Sequence, residues 1–406
     1  MPEAVIVATA RSPIGRAGKG SLVDLRPDDL AAAMVSAALT QVPELDPAEI
    51  DDLMLGCGLP GGEQGFNIAR VVAVLLGFDH LPGTTITRYC SSSVQTSRMA
   101  FHAIKAGEGD VFVSAGVEMV SRFVHGNSDN HAGTQNPGFT EARERTAATA
   151  QSDETEPWHD PRSDGLLPDI YIPMGQTAEN LAQSRGISRR ELDEFGVRSQ
   201  NLAEKAIAAG FWEREIVPVT RPDGQVVSTD DGPRAGVTYE GVSQLKPVFR
   251  PDGLVTAGNC CSLNDGAAAV VIMSDTKAAD LGVTPLARIV STGATALSPE
   301  IMGLGPVEAS RQALARAHMT VDDIDLVEIN EAFAAQVVPS YQDLGIDLDK
   351  LNVNGGAIAV GHPFGMTGAR LQATMLNSLD FHDVSTGLIT MCVGGGQGMA
   401  MIVERV

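Results

Sequence analysis

The stretch TTITRYCSSSVQTSRMAFHAIKAG, Thr84 to Gly107, reads as a strand that turns into a helix. Thr84, Thr85, Ile86 and Thr87 have strand propensity. Beyond Cys90 the apolar residues fall at Val94, Met99, Ala100, Phe101 and Ile104, closer to helical than to strand spacing. Ser91 to Ser93 supply N-cap candidates and Gly107 a C-cap candidate. Cys90 therefore sits at a strand-to-helix turn. A helix entrance carries unpaired N–H groups and partial positive charge, and both favour a thiolate over a thiol. Free cysteine is also among the most buried residue types, so a structural cysteine is an equal reading of this stretch alone.

Outward from this turn, strand and helix patterns alternate, which points to an α/β fold. AVIVATA reads as a strand, DLAAAMVSAALTQV as a helix, IDDLMLGCG and VFVSAGVEM as strands. The same order returns late in the chain, with ARIVSTGA, PVEASRQALARAHM, IDLVEINEAF and TGLITMCVGGGQG, and GMAMIVERV closes as a strand. PAEIDDLMLG and VDDIDLVEIN are weakly alike but correspondingly placed, so the pattern is an internal duplication. The expected division is a first half at 1–121, completed by 250–284, a second half at 285–406, and an inserted loop domain at 122–249. The beginning of that insert is polar, rich in Gly and Pro, and without periodicity, as functional loops are. Two helices follow around Gly186, the second opening on a Ser188/Glu191 capping box.

The chain has 406 residues and a net charge of −22, which argues against non-specific nucleic-acid binding. A local basic pocket for a small anionic ligand remains compatible with that charge. Five cysteines in this length make no disulfide framework, and a cytoplasmic location is expected. Neither a signal peptide nor a membrane-spanning apolar run is visible. GRAGKGS at Gly15 lacks the spacing of a phosphate loop.

Four later motifs carry polar residues at constrained positions. EINEAF puts Asn330 and Glu331 at the end of a strand, GHP puts His362 between Gly361 and Pro363, and TMCVGGGQG puts Cys392 before three glycines. TAGNCCSLNDGAAA reads as a polar turn before a small-residue helix. With VIVATARSPIG, CSSSVQT and AGVEMVS, these motifs follow the order and approximate spacing of the thiolase family, which the chain resembles over essentially its whole length. The resemblance implies two duplicated halves with stacked, mixed five-stranded sheets, helices in layers, and the inserted loop domain.

The resemblance also implies a mechanism. Cleaving a 3-oxoacyl thioester between Cα and Cβ needs a nucleophile that also leaves readily, and Cys90 matches that acylated nucleophile. His362 matches the base that activates it, since imidazole titrates near neutrality. Cys392 matches the acid/base that protonates the departing acetyl-CoA carbanion. His362 and a water fixed by Asn330 would hold one oxyanion, and the backbone N–H groups of Cys90 and Gly394 the other. Arg234, Met174, Ala257, Cys261 and Phe333 match positions that contact coenzyme A or line its channel. The implied partners are acyl-CoA, CoA and further copies of the chain as a homodimer or homotetramer, with no nucleic acid, no membrane, no metal and no permanently bound cofactor.

Three positions depart from the family pattern: Ser93 for glycine, Thr87 for asparagine, and Cys261 for serine. Pro173 stands where acetoacetyl-specific members often carry histidine, and IPMG resembles degradative, broad-range members. Thiolytic cleavage is the expected reaction. Condensation of two acetyl-CoA molecules, a non-catalytic acyl-CoA or lipid-binding protein, and a β-ketoacyl synthase are the alternatives. The last carries a histidine where this chain has Cys392.

Overall fold

The computed structural model describes residues 2–129 and 133–406. Its first five main strands are β1 (Ala4–Arg11), β2 (Asp52–Cys57), β3 (Gly83–Ile86), β4 (Val111–Met119) and β5 (Asn264–Ser274). They lie in the order β3-β2-β4-β5-β1, with β5 antiparallel to both neighbours and β2 parallel to both of its own. The second half supplies β6 (Ala287–Ala296), β7 (Leu326–Ile329), β8 (Thr386–Val393) and β9 (Gln397–Arg405). Their order is β7-β8-β9-β6, with β9 antiparallel to both neighbours and β7 parallel to β8. An isolated parallel bridge from Val327 to Leu351 occupies the place that β3 holds in the first half. The strand order is thus the same twice, which is the duplication expected from the sequence. An antiparallel pairing of Val5 with Arg288 and Ile6 with Ala287 joins the two sheets at one edge.

Away from that edge the sheets stack across two helices. These are α2 (Ser92–Ala106) and α7 (Thr367–Phe381), which pack on each other and touch strands of both halves. Helix α1 (Pro27–Thr40) covers the outer face of the first sheet, and α5 (Gly305–Ala317) and α6 (Ala334–Leu344) the outer side of the second half. The side-chain alternation of each strand divides the core accordingly. On β5, Ala268, Val270 and Ile272 join the cluster between the sheets, while Ala267, Ala269, Val271 and Met273 join the outer one. On β9, Met399, Met401 and Val403 point to the middle and Ala400 and Ile402 outward.

One expectation fails here. The alanines after Asp265 form no helix; they are the middle of β5, whose every residue is buried. A central strand covered by helices on both faces loses its polar alternation, and small side chains let those helices approach. Alanine's helix propensity is overridden by that packing.

Within 122–249 lie a helix over Thr140–Ala150, then α3 (Met174–Ser184) and α4 (Arg189–Ala208). Gly186 between the last two has φ of +62°, and the Ser188/Glu191 capping box forms at the start of α4. The insert is anchored to β1 by the buried Arg11, which donates to Asp230 at 2.8 and 3.0 Å and also pairs with Glu215. Among the described residues no helix is long and apolar enough to cross a membrane.

Candidate active site

Cys90 sits in a single 3-10 turn, Tyr89–Ser91, that joins the end of β3 to α2. Tyr89 takes φ of +43°, so the chain reverses sharply just before the cysteine. None of the three serines caps α2 with its side chain. They bind elsewhere instead. Ser92 Oγ accepts from the Arg88 N–H at 2.9 Å and donates to the Tyr89 carbonyl. Ser93, one of the departures, donates to the Gly365 carbonyl at 2.6 Å and accepts from the Ala369 N–H at 2.9 Å. Its hydroxyl thereby couples the Cys90 helix to the segment that follows His362.

The thiolate expected at a helix entrance is not the resting form. Burial pushes the Cys90 thiol up to about 12, although the N–H groups of Gly394 and of Cys90 itself both point at the sulfur and pull it down. The helix terminus is outweighed because Cys90 is only 8% exposed. Cys392, at the end of β8, is fully buried, and burial raises its thiol well above the usual range, with a further push from Cys90. Cys261 feels both of them. The three thiols therefore occupy one neighbourhood, although they come from the turn before α2, the end of β8 and the turn before β5.

His362 is buried in the loop that leads into α7. Its backbone N–H donates to Asn264 Oδ1 at 3.0 Å. Its ring is oriented at both nitrogens. The Thr367 hydroxyl gives its hydrogen to the Pro363 carbonyl at 2.6 Å, so its oxygen is left to accept from His362 Nδ1, also at 2.6 Å. Nδ1 therefore carries the proton. Nε2 keeps a lone pair and lies 3.3 Å from the Asn330 amide nitrogen, a donor. Burial, with help from the nearby Arg370 guanidinium, lowers the imidazole to about 3, so it rests neutral. Asn330 Oδ1 is buried without a hydrogen-bond partner among the described residues. It is an open acceptor for a polar group beside the imidazole.

A cavity of about 490 Å³ has Cys90 in its lining. Leu59, Ile172, Met174 and Phe364 give it apolar walls, and Gly394 and Gly395 line it together with Cys90. Met174 is the first residue of α3, with Pro173 as the N-cap, and Pro173 lines the same cavity. Gly395 and Gly396 have φ of +79° and +81°, so the turn after Cys392 requires glycine there. Gly394 has room for a Cβ, 3.5 Å from the Tyr89 ring and 3.7 Å from the Met174 sulfur.

The other candidates lie outside this cavity. Arg234 is exposed, with its backbone N–H donating to Gln200 Oε1 at 2.9 Å, and Ala257 is exposed. Phe333 is buried, bridged through its backbone to Cys260 and packed edge-on against Phe249 at 6.1 Å. Sequence reasoning passed over Thr367 and Asn264, which fix His362, and Glu118, whose carboxylate accepts from the Gly365 N–H three residues beyond it. Thr367 follows GHP by four residues, the spacing at which a hydroxyl reaches back one turn; that was the available signal.

Comparison with known proteins follows the same lines. The profile described as "Thiolase, N-terminal domain" matches residues 4–276, and "Thiolase, C-terminal domain" matches 283–405. The 3-ketoacyl-CoA thiolase of Idiomarina loihiensis is 41% identical over 417 residues, covering 100% of both chains. The acetyl-CoA acetyltransferase of Cupriavidus necator is 42% identical over 415 residues, again covering 100% of each. The dimeric peroxisomal thiolase of Saccharomyces cerevisiae superposes with a TM-score of 0.87 at 34% identity, over 100% of this chain and 98% of its own.

Proposed function

The chain belongs to the thiolase family, and from that premise we propose that it cleaves 3-oxoacyl-CoA esters with coenzyme A through an acyl group carried on Cys90. Family membership makes it an acyltransferase. His362 Nε2 takes the Cys90 proton, and the thiolate attacks the C3 carbonyl. The C2–C3 bond breaks, its electron pair leaves with acetyl-CoA as the enolate, and Cys392 returns a proton to that carbon. The thiol of coenzyme A then gives its proton to the Cys392 thiolate and attacks the acyl-Cys90 thioester, releasing the shortened acyl-CoA while His362 returns its proton to Cys90. No other cofactor enters this scheme.

One observation carries the assignment of roles: the N–H groups of Cys90 and Gly394 converge at the Cys90 sulfur. An oxygen on a carbon bonded to that sulfur would meet both donors, which is the requirement for stabilising a tetrahedral oxyanion. His362, with the unpaired Asn330 Oδ1 as the anchor for a water, would serve the second oxygen. On the coenzyme side the reading assigns Met174, Phe333, Cys261 and Ala257 to the pantetheine path and Arg234 to the nucleotide.

The cavity beside Cys90 supports a medium or bulky acyl group, and Pro173 on its wall has no side-chain donor to clamp a short one. The reading is therefore the degradative one. The condensing direction is the second reading, favoured by the name of the Cupriavidus necator relative. Measuring kcat/KM for thiolysis against acyl length separates them. The proposal expects longer or branched esters to exceed acetoacetyl-CoA; a sharp optimum at acetoacetyl-CoA with longer esters inert contradicts it.

The same reading divides the chain at 1–121 and 250–284 for one half, 285–406 for the other, and 122–249 for the insert. It places the enzyme in the cytoplasm as a homodimer, or a tetramer built from one. Support for self-association comes from β3, a sheet edge that the Asn67 side chain flanks through Gly83, with Phe66 beside it 96% exposed.

A further inference from the structure

Glu118, near the end of β4, is fully buried, and no lysine or arginine pairs with it among the described residues. Five donors meet its carboxylate, the most distant being the Cys57 thiol, 3.8 Å from Oε1. Oε2 accepts from the N–H of Gly58 at 2.6 Å and of Gly365 at 2.9 Å. Oε1 accepts from the Gln64 side-chain amide at 2.8 Å and from the Leu59 N–H at 3.2 Å. A pocket lined with donors suits an ionised carboxylate, while burial opposes the charge and raises the group.

These donors belong to two separate walls of the site. Gly58 and Leu59 leave β2, and the Gly58 carbonyl accepts the hydroxyl of Thr87 at 2.8 Å, three residues before Cys90. Leu59 lines the cavity. Gly365 follows Phe364, whose ring meets the His362 imidazole edge to face at 5.3 Å and also lines the cavity. The walls are in close approach: a Cβ on Gly58 would stand 2.6 Å from Glu118 Oε2 and 2.8 Å from the Phe364 Cβ. Glu118 thus spans 247 positions of sequence to join the approach to Cys90 with the exit from His362.

We infer that Glu118 is a positioning residue for the Cys90–His362 pair, its carboxylate pinning the loop that supports the nucleophile to the loop that carries the base. This rests on the thiolase reading above. The charge has a second consequence. Burial is the main reason that Cys90 rests as the thiol, and the Glu118 carboxylate adds a smaller push in the same direction.

The two effects give opposite signs in one variant. Glu118→Gln removes the charge and turns an amide N–H₂ toward backbone donors, loosening the walls. Its kcat for thiolysis should fall about tenfold or more, as expected for misplaced reacting groups, with KM within about threefold. At the same time iodoacetamide should alkylate Cys90 faster at pH 8, with the alkylation profile displaced to lower pH. Glu118→Asp keeps the charge but shortens the reach, so it should lower kcat while leaving the alkylation profile in place. A folded Glu118→Gln with wild-type kcat, or with an unmoved alkylation profile, overturns the inference. Should that variant fail to fold, Thr87→Val cuts the same chain at its hydroxyl. It should lower kcat severalfold without moving the alkylation profile, and wild-type kcat there overturns the positioning role. Each comparison includes acylation of wild-type Cys90 by mass spectrometry. Absence of that adduct would strike the thiolase reading itself, whereas its presence beside a silent Glu118→Gln would strike only Glu118.

Discussion

Thr367→Val tests how the base is set. The structure gives the Thr367 hydroxyl two bonds, one to the Pro363 carbonyl and one from His362 Nδ1–H, each at 2.6 Å. Valine keeps the shape and removes both. His362 is fully enclosed, so Nδ1–H is left without a partner where water does not reach it. Orphaning a buried polar group costs about 1–3 kcal/mol. The ring escapes part of that cost by changing tautomer or turning, and either move takes the Nε2 lone pair out of its place beside Asn330. If the whole cost falls on the reactive arrangement, kcat drops about fivefold to about 150-fold, because 1.4 kcal/mol is a factor of ten. KM should change little, since Thr367 lies behind the imidazole and does not line the cavity. The assay is steady-state thiolysis with a 3-oxoacyl-CoA ester, run beside Thr367→Ser, which restores the hydroxyl and should recover most of the rate. A Thr367→Val enzyme with wild-type kcat would refute the tautomer argument. So would a loss that Thr367→Ser fails to rescue.

Cys392→Ala should separate the half-reactions: exchange of acyl groups between Cys90 and coenzyme A persists, while carbon–carbon cleavage falls by about a hundredfold or more. Equal loss of both would make Cys392 structural. His362→Gln should reduce sensitivity to acid. The folded imidazole titrates near 3 and the unfolded one near 6.5, so below 6.5 the unfolded chain binds the extra proton and wild-type stability declines as pH falls. The difference at pH 4 is on the order of 3 kcal/mol, read as a steeper fall of the denaturation midpoint between pH 7 and pH 4 in wild type than in the variant. Parallel midpoints would show that His362 protonates freely in the folded state.

Much of this site was legible in the sequence because each reacting residue stands where the backbone changes direction. Cys90 lies between a β-branched run and a helix, His362 between glycine and proline, and Cys392 before glycines, two of which take positive φ. The duplication was visible for the same reason, since hydrophobic runs and polar exits recur in one order. What stayed hidden depends on contacts between distant segments. Glu118 reads as one polar residue in a strand, and only the fold brings Gly58 and Gly365 to it. Ser93 reads as a departure in the cysteine motif, yet its hydroxyl finds two partners on the His362 side. The reading of a helix after Asp265 failed because local alanine content says nothing about helices packing on both faces of β5. The charge state of Cys90 failed likewise. Proximity to a helix terminus is local, whereas the burial that outweighs it is not.

The most direct test is where the acyl group goes. Wild-type enzyme and Cys90→Ser are mixed with 3-oxohexanoyl-CoA without free coenzyme A, quenched in acid, digested and mapped by mass spectrometry. The account predicts a butanoyl group on the peptide that contains Cys90 in the wild type, acetyl-CoA released with it, and no adduct in the variant. A butanoyl group on Cys261 or Cys392 in the wild type, or an adduct that persists in Cys90→Ser, would contradict it.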